Sequence, residues 1–102
     1  MMKRVPPFTA LRVLEAAARL KSYSAAGEEL GVTHSAVSQA IRRLELGYSR
    51  RLFWRKGKEM APTAAAQSLA RAYRDAAHIV ERAADDLNEE GQGRSTMCAA
   101  SR

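Results

Sequence analysis

A mainly α-helical fold, with three helices and a short β-hairpin in one domain and a single long helix after it, follows from three features of the sequence. Apolar residues recur at three- and four-residue steps from Phe8 to Leu44. The pattern then breaks between Arg51 and Ala61 into two short runs around a glycine, and a helical period resumes after Pro62 and persists for about 25 residues.

Each element has its own signal. After Pro6-Pro7, the residues Phe8, Leu11, Leu14, Ala17 and Ala18 form one stripe of an amphipathic helix ending near Lys21. Ser24 is placed to cap a short second helix, Ala25 to Leu30, which stops at Gly31, a residue suited to the left-handed position after a helix. Gly27 falls inside that helix at a cost of up to ~1 kcal/mol. Thr33 caps a third helix from about His34 to Leu46, whose buried side takes Val32, Val37, Ile41 and Leu44. Two helices joined by Gly31-Val32-Thr33 make a helix-turn-helix. Arg51-Leu52-Phe53-Trp54-Arg55 and Glu59-Met60-Ala61 are two strands around the Lys56-Gly57-Lys58 turn, so a basic hairpin stands beside the helix-turn-helix as a wing. Trp54 is expected to pack in this hairpin, with stacking on a sugar or base as its second use.

Pro62 ends the hairpin and Thr63 caps the long helix, which reaches Leu87 or Asn88. Along it Leu69, Tyr73, Ala76, Val80, Ala83 and Leu87 step by four and three, a heptad seam that faces a partner helix. The expected organisation is a winged helix-turn-helix over 1–62, a linker and dimerisation helix over 63–88, and a tail over 89–102 that is disordered for want of any apolar period.

Composition narrows the function. One domain's length of 102 residues, 46% hydrophobic and 27% charged, is that of a folded chain with a small core. No apolar run approaches the ~18 residues of a membrane span, and Lys3 and Arg4 are followed by prolines where a signal peptide needs an apolar core, so a cytoplasmic protein without membrane contact is expected. Cys98 has no partner thiol and His34 stands far from His78, so neither a disulfide nor a metal or other cofactor is expected. The acid pairs Asp85-Asp86 and Glu89-Glu90 lack a nucleophile or pocket signal, which argues against an enzyme.

Charge is the positive signal. Residues 1–62 carry twelve Lys or Arg against five Asp or Glu, while residues 63–102 carry five against six. Between Arg42 and Lys58 seven cations oppose only Glu45, the footprint of a polyanion-binding surface. A helix-turn-helix presents the first turns of its second helix to the major groove. There Thr33, His34, Ser35, Ser38, Gln39 and Arg42 are the candidates for reading base edges, with Gln39 suited to adenine. Ser24, Arg43, Arg51, Arg55, Lys56 and Lys58 are the candidates for phosphates and the wing contact, and Arg42 also lies within reach of a phosphate.

Phe8-Thr9-Ala10-Leu11-Arg12, Ser22-Tyr23-Ser24-Ala25-Ala26, Glu28-Glu29-Leu30, Ser35-Ala36-Val37-Ser38, Ile41-Arg42-Arg43-Leu44-Glu45, Arg51-Leu52-Phe53 and Thr63 together resemble the N-terminal DNA-binding domain of LysR-type transcriptional regulators. The resemblance runs from about residue 6 to residue 88. It implies a winged helix-turn-helix with a linker helix that forms a homodimer on an interrupted inverted repeat of double-stranded DNA. The chain departs from the family's usual pattern at His34 (Gln), Gln39-Ala40 (Arg-Gln), Leu46-Gly47-Tyr48-Ser49 (acidic-acidic-Leu-Gly), Pro62 (Leu) and Ala66 (Gly), and Tyr48 is expected to fill the pocket of the customary Leu. Only Asn88 to Arg102 follow the linker helix, so no small-molecule effector is expected on this chain. The rival expectation is an interaction protein whose long helix pairs with a full-length family member.

Overall fold

The computed structural model describes the backbone of residues 5–94 and the side chains of residues 5–89. Cys98 and the end of the tail from residue 95 lie outside the described residues. The chain runs α1 (Phe8–Leu20), α2 (Tyr23–Leu30), α3 (His34–Tyr48), β1 (Phe53–Lys56), β2 (Glu59–Pro62) and α4 (Ala64–Arg94). It is a mainly helical winged helix-turn-helix, with β1 and β2 paired antiparallel from Phe53 opposite Pro62 to Lys56 opposite Glu59. Helices α1, α2 and α3 pack on one another, and the first half of α4 lies against α1.

The core follows from the apolar stripes. Leu14 and Ala17 of α1, Ala26 of α2, Val37, Ile41 and Leu44 of α3, Leu52 and Phe53 at the hairpin, and Ala66 and Ala70 of α4 are all buried in one cluster. Burying each large member is worth roughly 1.5–3 kcal/mol, which favours closing the stripes on one another. The alanines at 66 and 70 let α4 approach α1 closely, and the ring of Phe8 meets that of Tyr73 at 5.0 Å where the two helices continue together. A polar clamp sits on the same contact. The buried Glu15 carboxylate accepts from Arg19 one turn along α1 (3.1 Å) and from Arg74 of α4 (3.4 Å), and Arg19 also binds Glu29 of α2. Arg19 holds the Glu29 carboxyl below its ordinary pKa.

Local chemistry sets the helix ends. The Thr33 hydroxyl accepts the Ala36 N–H (3.0 Å) and the Thr63 hydroxyl accepts the Ala66 N–H (3.3 Å), as expected of N-caps. Gly31 closes α2 with φ of 74°. The second helix starts earlier than its sequence suggested. Ser22, not Ser24, is its cap: Ser22 is extended and its hydroxyl accepts the Ala25 N–H (3.0 Å), which leaves Ser24 as an exposed residue of the first turn. Helix α3 runs two residues past Leu46, because Tyr48 continues the buried stripe and packs at the edge of the core. Helix α4 continues to Arg94, well past Asn88, so the first residues of the expected tail are helical.

Two glycines are required where they stand, one by a close approach and one by its backbone angle. A methyl group on Gly27 would meet the Val32 carbonyl oxygen at 2.7 Å, and the Val32 N–H donates to the Gly27 carbonyl at 2.9 Å. Gly27 thus permits the close approach of α2 to the turn, which offsets its cost in helix propensity. Gly57 opens the two-residue hairpin turn with φ of 62°, a value that L side chains rarely adopt.

Two expectations about burial fail. Val32 is 43% exposed, because the turn is pinned by its backbone to α2 and its side chain is left outside. Trp54 is 55% exposed. Strand alternation sends Phe53 inward against Tyr23 and Trp54 to the opposite face of a two-stranded ribbon that nothing covers.

Candidate nucleic-acid interface

The helix-turn-helix presents α3 by one face. Val37, Ile41 and Leu44 are buried, and on a helix of about 100° per residue the directly opposite face takes Ser35, Gln39, Arg42 and Leu46, all exposed. His34 and the half-buried Ser38 flank this face toward α2, and the exposed Arg43 flanks it toward α1. Thr33 is first a cap, its oxygen already accepting Ala36 N–H, so its hydroxyl proton and one lone pair remain for a ligand.

His34 stands against Tyr23, with ring centroids 5.9 Å apart. Tyr23 in turn meets Phe53 edge-on at 5.5 Å, so one aromatic row joins the start of α3, α2 and the wing. Burial, reinforced by the Glu45 carboxylate and opposed by Arg55, pushes the Tyr23 hydroxyl up to about 12 from its ordinary 10.

The basic run divides by use. Arg19 and Arg74 are committed to Glu15 and Glu29. Among the described residues Arg42, Arg43, Arg50, Arg51, Arg55, Lys56 and Lys58 have no carboxylate within 4.0 Å. Two acids stand among them: Glu45 is aimed elsewhere, its carboxylate accepting the Leu52 N–H at 2.8 Å and tying the end of α3 to the start of the hairpin, and the exposed Glu59 stands opposite Lys56 in the wing. Arg42, Leu46, Arg50 and Arg51, with Glu45 and Ser49, line a shallow groove between α3 and the segment that leads to β1. Arg55, Lys56 and Lys58 are exposed along the wing, and the guanidinium of Arg51 lies 5.2 Å from the centre of the Trp54 ring. The result is a surface from α3 to the wing tip on which cations outnumber acids and make no ion pair among the described residues, suited to a polyanion. Ser24 stands exposed at the start of α2.

Sequence reasoning passed over three of these features. Tyr23 entered only as part of a motif, Arg50 only as part of a charge run, and the Arg51–Trp54 stack not at all. Each depends on neighbours brought together by the fold.

Residues 8–67 match the model for the bacterial regulatory helix-turn-helix protein, lysR family. The chain belongs to that family. It is 39% identical over 85 residues to the AhcY transcriptional activator HvrB of Rhodobacter capsulatus, a match over 83% of this chain and 29% of the relative. It is 47% identical over 68 residues to the glycine cleavage system transcriptional activator of Escherichia coli K12, over 67% of this chain and 22% of the relative. The chain therefore spans less than a third of the length of these curated relatives. Among solved structures, the BenM DNA-binding domain in complex with benA site 1 DNA superposes with a TM-score of 0.77 over 87% of this chain and all of that one, at 17% identity, a likeness of fold. What the chain carries is thus the helix-turn-helix DNA-binding domain of lysR-family transcriptional regulators.

The family's α4 divides the expected dimer seam. Leu69, Tyr73 and Ala76 are half-buried against the chain's own body, while Val80, Ala83 and Leu87, with Ile79 beside them, are exposed. Among the described residues no helix is long and apolar enough to cross a membrane.

Proposed function

We propose that this lysR-family domain binds duplex DNA sequence-specifically as a homodimer, one α3 in each of two successive major-groove half-sites, and so regulates transcription. The observation that carries this reading is the single outward face on which Ser35, Gln39 and Arg42 adjoin a predominantly basic groove and wing. Ser35, Ser38, Gln39, His34 and Arg42 read base edges, with the Thr33 hydroxyl at the rim. Arg43, Arg51, Arg55, Lys56, Lys58 and Ser24 hold the backbone to either side and fix register without reading sequence. The bare stretch of α4 from Ile79 to Leu87 pairs with its copy in a second chain, which supports two half-sites. The relatives named as transcriptional activators are in keeping with a regulatory role.

Selection of binding sites from a random duplex library with the purified chain tests this. The expected product is an interrupted inverted repeat with two like half-sites. A lone half-site would retire the dimer, and a pool that never departs from random would retire sequence-specific recognition.

A further inference from the structure

Trp54 is exposed beside Arg51, and of the two the DNA-binding reading above uses only Arg51. Trp54 is 55% exposed at the outer face of β1, and the Arg51 guanidinium stacks on its ring at 5.2 Å. Arg51 is also a wall of the groove shared with Arg42 and Leu46 of α3, so the indole edges the same surface as the outward face of α3. Neither side chain makes a hydrogen bond or ion pair among the described residues. The Arg51 carbonyl, by contrast, is fixed, since it accepts the Thr63 hydroxyl at 2.9 Å. The backbone that carries the pair is therefore anchored at the start of α4.

We propose that Trp54 is a backbone clamp on duplex DNA: the indole packs on a deoxyribose beside the half-site, and Arg51, held on its face, takes the adjoining phosphate. The inference rests on the DNA-binding reading above. In an intact duplex the bases are stacked on one another, and offering them an aromatic platform requires unstacking. The sugars are the apolar surface accessible without that cost. An indole supplies a broad apolar face for the ring and an N–H donor for a phosphate oxygen at its edge. A guanidinium lying over the indole keeps its charge and its in-plane donors, so the stack orders Arg51 without spending its phosphate-binding capacity. Because sugars and phosphates are the same at every base pair, this contact adds affinity without sequence preference.

Trp54 is the only tryptophan of the chain, so its fluorescence reports on this contact alone. The purified chain is titrated with the selected site and with random duplex, reading indole fluorescence and the anisotropy of end-labelled DNA together. The expected result is a change in indole emission that tracks the anisotropy curve on both DNAs. Trp54→Ala should weaken binding about tenfold on both, while Trp54→Phe, which keeps an apolar ring, should lose less than threefold. Arg51→Ala should make the salt dependence shallower by about one counterion and leave selectivity intact. Circular dichroism on each variant reads its folding. DNA binding seen by anisotropy with unchanged indole emission, or with unchanged affinity in Trp54→Ala, overturns the clamp alone. A loss confined to the selected site overturns the sugar assignment and makes Trp54 a reader of sequence. Absence of any anisotropy change for the unmodified chain overturns the DNA-binding reading and the clamp with it.

Discussion

Gln39 and Tyr23 show how differently two polar side chains a short distance apart can be used. Gln39 is exposed on the face of α3 opposite Val37 and Ile41, with an amide that offers a donor and an acceptor together. Adenine presents the complementary pair in the major groove. Gln39→Ala is expected to cost ~1–3 kcal/mol on the selected site and almost nothing on random duplex, measured by competition binding. Equal losses on both would reassign Gln39 to the backbone. Tyr23 faces inward and is kept neutral by its surroundings. Its folded pKa of about 12 lies above the ordinary 10, so the fold favours the protonated phenol. The stability this represents is intact below pH 10 and is lost as the pH rises from 10 through 12. Comparing chemical denaturation of Tyr23→Phe and the unmodified chain across pH 9 to 12 checks it. The unmodified chain should lose stability more steeply above pH 10, and parallel curves would exclude Tyr23 as the alkaline trigger.

Helix α4 is one covalent element with two environments. Its first half is anchored by Ala66, Ala70 and the Phe8–Tyr73 contact, whereas no side chain from His78 to Glu89 is even half-buried in the body. A 31-residue helix of about 46 Å cannot lie wholly on a domain this small. Its own seam therefore remains bare where Val80, 58% exposed, and Leu87 project. In the proposed homodimer these residues close on their copies, and Val80→Glu would bury an unpaired carboxylate there at a cost of several kcal/mol. Light scattering should show the variant monomeric at micromolar concentration, with the helical content of α1 to α3 preserved. A variant that stays dimeric would remove Val80 from the interface. The wing, by comparison, is fixed by bonds from its ends, with Met60 N–H donating to the Lys21 carbonyl and Thr63 N–H to the Leu52 carbonyl. Its turn is set by Gly57 and its outer face is left to the solvent.

Across the whole molecule the charges fall into two populations, one that assembles the fold and one that it leaves free. Glu15 joins α1 to α4 through Arg74 and to α2 through the Arg19–Glu29 pair, at the back of the domain relative to α3. Glu15→Ala would leave both guanidinia without that acceptor and loosen the seat of α4. The expected loss is ~1–2 kcal/mol in denaturant unfolding, with faster amide exchange in the first turns of α4 than in α3. Unchanged exchange in α4 would mean that apolar contact with α1 suffices to hold it. DNA affinity per binding site should change little, since the free cations lie elsewhere.

The residues that were legible in the chain are those whose partners are near in sequence. Thr33 and Thr63 cap the next turn, Val37, Ile41 and Leu44 share a stripe at helical spacing, and Gly57 turns a two-residue loop, each partner within four residues of the next. The surplus of cations between Arg42 and Lys58 is likewise a count along the chain. Even so, Ser22 displaced Ser24 as a cap, because two candidate hydroxyls stand two residues apart and only the backbone's departure from the helix chooses between them. Everything that depended on distant partners was settled by packing. Glu15 found Arg74, Glu45 found the Leu52 amide, and Tyr23 found Phe53. Gly27 found the Val32 carbonyl, which left the Val32 side chain outside. Trp54, expected to pack in the hairpin, was misplaced because strand alternation fixes only that Phe53 and Trp54 face opposite ways. The body of helices covers one face of the ribbon, and burial of Phe53 against Tyr23 put the indole on the other.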